Sequence, residues 1–92
     1  MTSPTYRNDH PDTETIRRVL REHARLAVPV STVADSDDLY QRGMTSLASV
    51  TVMLALEDAF DIEFADRLLR KSTFSSIRAI QAAVDEMRAV AP

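Results

Sequence analysis

The chain's only glycine, Gly43, stands three residues before Ser46 in the stretch GMTSLASV, and a long apolar helical pattern begins at that serine. A serine so placed has two uses. As a helix N-cap, its oxygen accepts a hydrogen bond from a free amide of the first turn, and Gly43 then only relieves strain in the turn. As a modified residue it exploits the same geometry differently. A helix start offers free N–H groups and partial positive charge, which stabilise an attached phosphate. Gly43 then lets another backbone come close, and the apolar Leu47 points outward toward a partner. Spacing alone leaves both uses open.

Nucleophilic catalysis is the wrong chemistry for this serine. It needs a general base, usually a histidine held by a carboxylate. His23 is the candidate outside the N-terminal segment, and its place on an apolar stripe predicts that it faces the core. The strained G-x-S-x-G elbow is absent, because Leu47 and Ala48 follow Ser46. A single glycine precludes a glycine-rich phosphate loop, and zero cysteines preclude a disulfide, a thiolate metal site or a thiol nucleophile. The two histidines, His10 and His23, are too few for a histidine metal site. No catalytic residue and no metal ligand is expected. Other serines are poorer candidates for modification. Ser49 shares the side of Val52, Met53 and Phe60 and is expected to face the core, while Ser75 and Ser76 lie at a plausible cap and first turn.

The elements that position Ser46 must come from 92 residues, enough for one domain with one modest core. Met1 to Pro11 is polar with two prolines and reads as a flexible tail, leaving 12–90 as the folded domain. From Asp12 to Val28, Ile16, Val19, Leu20, His23 and then Leu26 or Ala27 recur at helical steps, with Asp12 or Thr13 as cap and Pro29 as the stop. A long first loop follows, with Val30, Val33, Leu39 and Tyr40 folding it back over the core. The helix from Ser46 is apolar on two faces. Val52, Met53, Leu56 and Phe60 make one; Leu47, Val50 and Leu54 lie nearly opposite. ADRLLRK reads as a short third helix, with Leu68, Leu69 and Phe64 as its core contacts and the lowest local stability in the chain. The last helix carries Ile77, Ile80, Val84 and Met87 in a stripe, with Thr73 or Ser75 as cap. No run alternates with period two, so no sheet is predicted. The fold class is all-α: a small four-helix bundle with a long first loop and a short third helix.

A net charge of −3 argues against nucleic acid as the main partner. Arg17, Arg18, Arg21 and Arg25 crowd one stretch, and Arg67, Arg70 and Lys71 another. Both read as solvated helix faces, with partner-binding patches as the alternative. The start lacks the apolar stretch of a signal peptide, and nothing approaches a membrane span, so a cytoplasmic monomer without membrane contact is expected.

The run DDLYQRGMTSLASVTVMLALEDAFDIEF resembles the attachment region of acyl and peptidyl carrier proteins. The resemblance rests on Asp38-Leu39, Gly43, Ser46-Leu47 and the acidic-aromatic-acidic stretch Glu57-Asp58-Ala59-Phe60-Asp61-Ile62, and it continues through STFSSIRAIQAAV. It covers roughly Asp12 to Met87 and implies a four-helix bundle of the acyl-carrier-protein type. It further implies that Ser46 carries 4′-phosphopantetheine, making the chain a phosphoprotein, installed from coenzyme A by a phosphopantetheinyl transferase. The arm's thiol would hold cargo as a thioester, which suits a chain without cysteine. The protein would supply tethering, raising the local concentration of cargo at each partner.

Within that resemblance, Thr45 stands where aspartate is commonest, and Leu47 to Met53 carries no charge where fatty-acid carriers place acids. Docking through Thr45, Leu47, Val50, Thr51 and Leu54 should therefore lean on apolar contact, with weak salt dependence. The chain reads as a stand-alone carrier, and its neutral attachment helix looks like that of aminoacyl carriers charged by a separate amino-acid ligase and emptied by a downstream acceptor enzyme. The alternatives are a specialised acyl carrier of polyketide or lipid synthesis, and an unmodified helical adaptor using the Leu47, Val50, Leu54 face for a partner helix.

Overall fold

The computed structural model describes residues 11–90, so all of the expected tail except Pro11 lies outside the described residues. Three α-helices, α1 (Pro11–His23), α2 (Ser46–Phe60) and α3 (Ile77–Val90), are joined by loops that contain short 3-10 turns. No strand occurs among the described residues. Helix α1 packs against both α2 and α3. It opens at Pro11, a position where the missing proline N–H costs nothing, with Asp12 and Glu14 at its positive end and Arg21 and His23 at its negative end.

The first helix stops earlier than the sequence suggests. Pro29 is the stop the sequence predicts; the helix ends at His23, because Arg25 enters the left-handed region at φ 55°. That costs a non-glycine residue about 1 kcal/mol, offset by what the reversal permits. Leu26 and Val28 fold back onto the core, and the Ala27 amide donates to the Arg42 carbonyl at 2.8 Å. The early end also corrects the reading of His23. Ala24 is the fully buried residue there, and the imidazole is about a third exposed beside Glu22.

The long first loop is held at both sides. Arg17 of α1 pairs with Asp35 at 2.7 Å and donates to the Val30 carbonyl at 3.0 Å. From the other side, Leu39 N–H donates to Ser75 O at 2.7 Å and Arg78 N–H to Asp35 O at 2.9 Å. These bonds seat Val30, Val33 and Leu39 in the core, as their apolar character predicts.

The expected short third α-helix is instead two 3-10 turns, Asp66–Leu68 and Lys71–Phe74. Extended backbone at Arg70 (φ −145°, ψ 163°) separates them and prevents one continuous helix. Phe64 and Phe74 hold the segment in place, meeting edge to face with centroids 5.4 Å apart. Leu68 is buried there but Leu69 is exposed, against the expectation that both would pack. Helix α3 buries the expected stripe of Ile77, Ile80, Val84 and Met87. Its cap is Ser76, whose hydroxyl accepts the Ala79 amide at 3.0 Å, rather than Thr73 or Ser75. No helix among the described residues is long and apolar enough to cross a membrane.

Candidate functional site

Gly43 sets the approach to α2. Its φ is +112°, and a Cβ there would stand 2.7 Å from the Ala27 amide nitrogen. Only glycine combines that dihedral with that contact. The backbone brought close is thus the chain's own, on the side of α1 and not of a partner. Met44 follows as a buried anchor, its N–H donating to the Leu39 carbonyl at 3.1 Å. Asp37 braces the same loop by accepting the Ala34 amide at 2.9 Å and pairing with Arg42 at 3.3 Å. The Ala34 hydrogen bond lowers the Asp37 pKa from its ordinary value; partial desolvation opposes this and Arg42 assists it.

Thr45 is the N-cap of α2. It has extended backbone, and its hydroxyl oxygen accepts the Ala48 amide at 3.0 Å. Ser46 is therefore not the cap. It is the first helical residue, exposed, and its hydroxyl forms no hydrogen bond among the described residues. The helix end beside it supplies the free amides and positive dipole that favour an attached phosphate. No group of three or more potential metal ligands occurs among the described residues.

The outer face of α2 is apolar and open. Leu47 is 79% exposed, Val50 49% and Leu54 55%, with Thr51 exposed between them. Val52 and Leu56 are fully buried on the inner face, with Met53 and Phe60 partly covered. Glu57, within the acidic-aromatic-acidic stretch, is committed to structure: its carboxylate accepts the Phe64 amide at 2.8 Å and fixes the chain's exit.

Ser49 does not face the core. It is half-buried, donates to the Ser46 carbonyl at 2.7 Å, and joins Ser46 in the wall of a cavity of about 250 Å³. The opposite wall comes from Tyr40, Leu69, Arg70, Lys71 and Phe74. The Lys71 ammonium lies 4.6 Å from the Tyr40 ring centroid, and the Tyr40 hydroxyl donates to the Lys71 carbonyl at 3.3 Å. The basic cluster seen in the sequence is thus split: Arg67 pairs with Glu86, while Arg70 and Lys71 turn toward the serine's cavity. No local pattern announces the Tyr40–Lys71 pairing, which joins two loops distant in sequence.

A helical shell thus presents a serine hydroxyl at a helix N-terminus beside an exposed apolar face. Residues 14–84 match the PP-binding family, described as phosphopantetheine attachment site, and the chain belongs to that family. It is 52% identical over 67 residues to the aminoacyl carrier protein of Agrobacterium fabrum, spanning 73% of this chain and 81% of the relative. Among solved structures it is similar to a chain in the crystal structure of engineered Bradyrhizobium japonicum glycine:[carrier protein] ligase complexed with carrier protein from Agrobacterium tumefaciens and AMP. That match has 49% identity and a TM-score of 0.78, covering 79% of this chain and 97% of the other. The solution structure of a holo acyl carrier protein from Nitrosomonas europaea shares the fold at 24% identity and TM-score 0.75, covering 87% and 99%. The residues present fit the family's cofactor: a spare hydroxyl, a positive helix end, and a cation-rimmed apolar cavity adjoining both. Family membership makes covalent phosphopantetheine the cofactor and a phosphopantetheinyl transferase a partner.

Proposed function

We propose that Ser46 is the attachment residue and that the arm carries an activated amino acid, loaded by a separate ligase and delivered to an acceptor enzyme. The observation that carries the assignment is the division of labour at the start of α2: Thr45 caps the helix, so the Ser46 hydroxyl is left for modification. In that reaction the Ser46 oxygen bonds to the phosphorus bearing the pantetheine half of coenzyme A, and the pyrophosphate link to the nucleotide half breaks. When bound, the arm supplies the thiol that the chain lacks.

The amino-acid cargo is supported by the 52% identity to an aminoacyl carrier protein and the likeness to a chain crystallised with a glycine:[carrier protein] ligase. The uncharged outer face of α2 supports apolar docking of such a ligase through Thr45, Leu47, Val50, Thr51 and Leu54. Dependence on coenzyme A supports a cytoplasmic place of action. The test is intact mass after incubation with coenzyme A and a broad-specificity phosphopantetheinyl transferase. One added phosphopantetheine on wild type, and none on Ser46→Ala, is expected. A folded wild type that gains no mass overturns the reading and favours the helical adaptor.

A further inference from the structure

The chain contains a single lysine, Lys71, and it lines the same cavity as Ser46. Apart from the two histidines, every other basic side chain is an arginine, which stays protonated and offers no nucleophilic lone pair at neutral pH. Lys71 is exposed and takes part in no ion pair among the described residues. Tyr40 holds it instead: the ammonium lies 4.6 Å from the ring centroid, and the Tyr40 hydroxyl donates to the Lys71 carbonyl at 3.3 Å. The chain's one side-chain amine is thus pinned beside the residue from which an activated acyl group would hang.

We propose that Lys71 is a second acceptor for the cargo, taking the aminoacyl group from the arm as a stable amide, and that the Tyr40 ring slows this transfer. The inference rests on Ser46 carrying an arm loaded with an amino acid. An arm long enough to serve separate enzymes more than spans a cavity of about 250 Å³, and transfer needs one encounter there, not residence. Tethering thioester and amine to one chain makes the reaction intramolecular and raises its rate. The Lys71 ammonium first gives a proton to water. The free amine attacks the thioester carbonyl, the N–C bond forms and the C–S bond breaks. The arm's sulfur leaves as a thiol, carrying the second proton that the amine loses, and no redox partner is needed. The ring face attracts the ammonium and not the free amine, so that contact must be given up before attack. An amide lacks the activation of a thioester, so cargo on Lys71 is withdrawn from delivery. The Tyr40 contact therefore keeps cargo on the arm.

The experiment follows the full chain loaded from glycyl-coenzyme A by a phosphopantetheinyl transferase. After incubation in mildly alkaline buffer, hydroxylamine strips the thioester, and intact mass with peptide mapping locates any glycyl group that remains. A resistant glycyl group on the peptide containing Lys71 is expected, absent in Lys71→Arg and accumulating at the same fractional rate on dilution. Tyr40→Leu should gain it about two- to fivefold faster, the worth of an exposed cation–π contact, while Tyr40→Phe keeps the ring and should match wild type. Arm mass present with no resistant glycyl group overturns this inference and leaves the attachment reading standing; no arm mass overturns both. Resistant label that persists in Lys71→Arg, or a rate that falls on dilution, overturns the assignment to an intramolecular acceptor at Lys71. An unchanged rate in Tyr40→Leu overturns the role given to the ring.

Discussion

The Thr45 hydroxyl accepts the Ala48 amide at 3.0 Å, and that bond leaves the neighbouring Ser46 hydroxyl without a capping role at the start of α2. Two adjacent hydroxyl residues have different duties, and substitution tells them apart. Thr45→Ala should lower stability by about 1 kcal/mol, the ordinary worth of an N-cap. Ser46→Ala should change it by less than about 0.5 kcal/mol, as at an exposed surface position. Thr45→Asp should retain the cap, since aspartate caps as well as threonine. Chemical denaturation of the three variants checks this, and a larger loss in Ser46→Ala than in Thr45→Ala would reverse the assignment.

Gly43→Ala should be among the most damaging single-methyl additions. The new Cβ would meet the Ala27 backbone at 2.7 Å with φ at +112°. Strain of this kind costs about 1–3 kcal/mol. Faster amide exchange at Ala27, whose hydrogen bond to Arg42 lies beside the clash, would accompany the lower melting temperature. An unchanged rate there would show that the loop yields elsewhere.

Leu47→Asp should leave helix content intact, because the side chain is already 79% exposed. Removing an apolar anchor from a docking face costs about 1.4 kcal/mol or more, a tenfold loss in kcat/KM for loading by the ligase. Loading by the wild type should change little between low and high salt, since α2 carries no charge before Glu57. A steep salt dependence would place the docking energy on charges outside this face.

Asp37 makes the first loop acid-sensitive. Its pKa is lowered in the folded chain, so its contribution is fully present above the unfolded value near 3.8 and is lost as pH falls through the lower folded value. Asp37→Asn should be less stable than wild type at neutral pH, and the two should converge only as pH falls below the ordinary carboxylate value through the lowered folded one. Parallel acid-denaturation curves would contradict this.

Amides from Asp66 to Lys71 should exchange faster than those in the middle of α2. The 3-10 turns there have few bonds and much solvent contact, with Arg67, Leu69 and Arg70 all exposed. Equal protection would show that the Phe64–Phe74 contact stiffens the whole segment.

What the sequence makes legible follows from the range of each interaction. The buried stripe of α3 and the two faces of α2 repeat at helical spacing, so Val52, Leu56, Ile80 and Val84 are readable from period alone. The end of α1 is not, because Arg25 turns left-handed for a bond between Ala27 and Arg42 that no local pattern records. The third element is not legible as 3-10, because an apolar pair, Leu68-Leu69, looks the same whether the backbone is α or 3-10. At the site, Gly43 and Ser46 stand out by spacing, whereas the cavity depends on Tyr40 meeting Lys71, a contact made only by the fold.

The contact between Gly43 and Ala27 has a consequence for how such a chain can diversify. The first loop leaves and returns to nearly the same point, so its two ends are stapled while Ser36, at its far side, is exposed. Lengthening an excursion of this kind is inexpensive, about 0.6 kcal/mol for each doubling. Insertions at Ser36 would open the Ala34–Asp37 turn, while the Gly43–Ala27 contact and the buried Met44 would still hold the approach to Ser46. The start of α2 is thus held apart from changes at the far side of the loop, and altered loop contacts there would leave the serine in place.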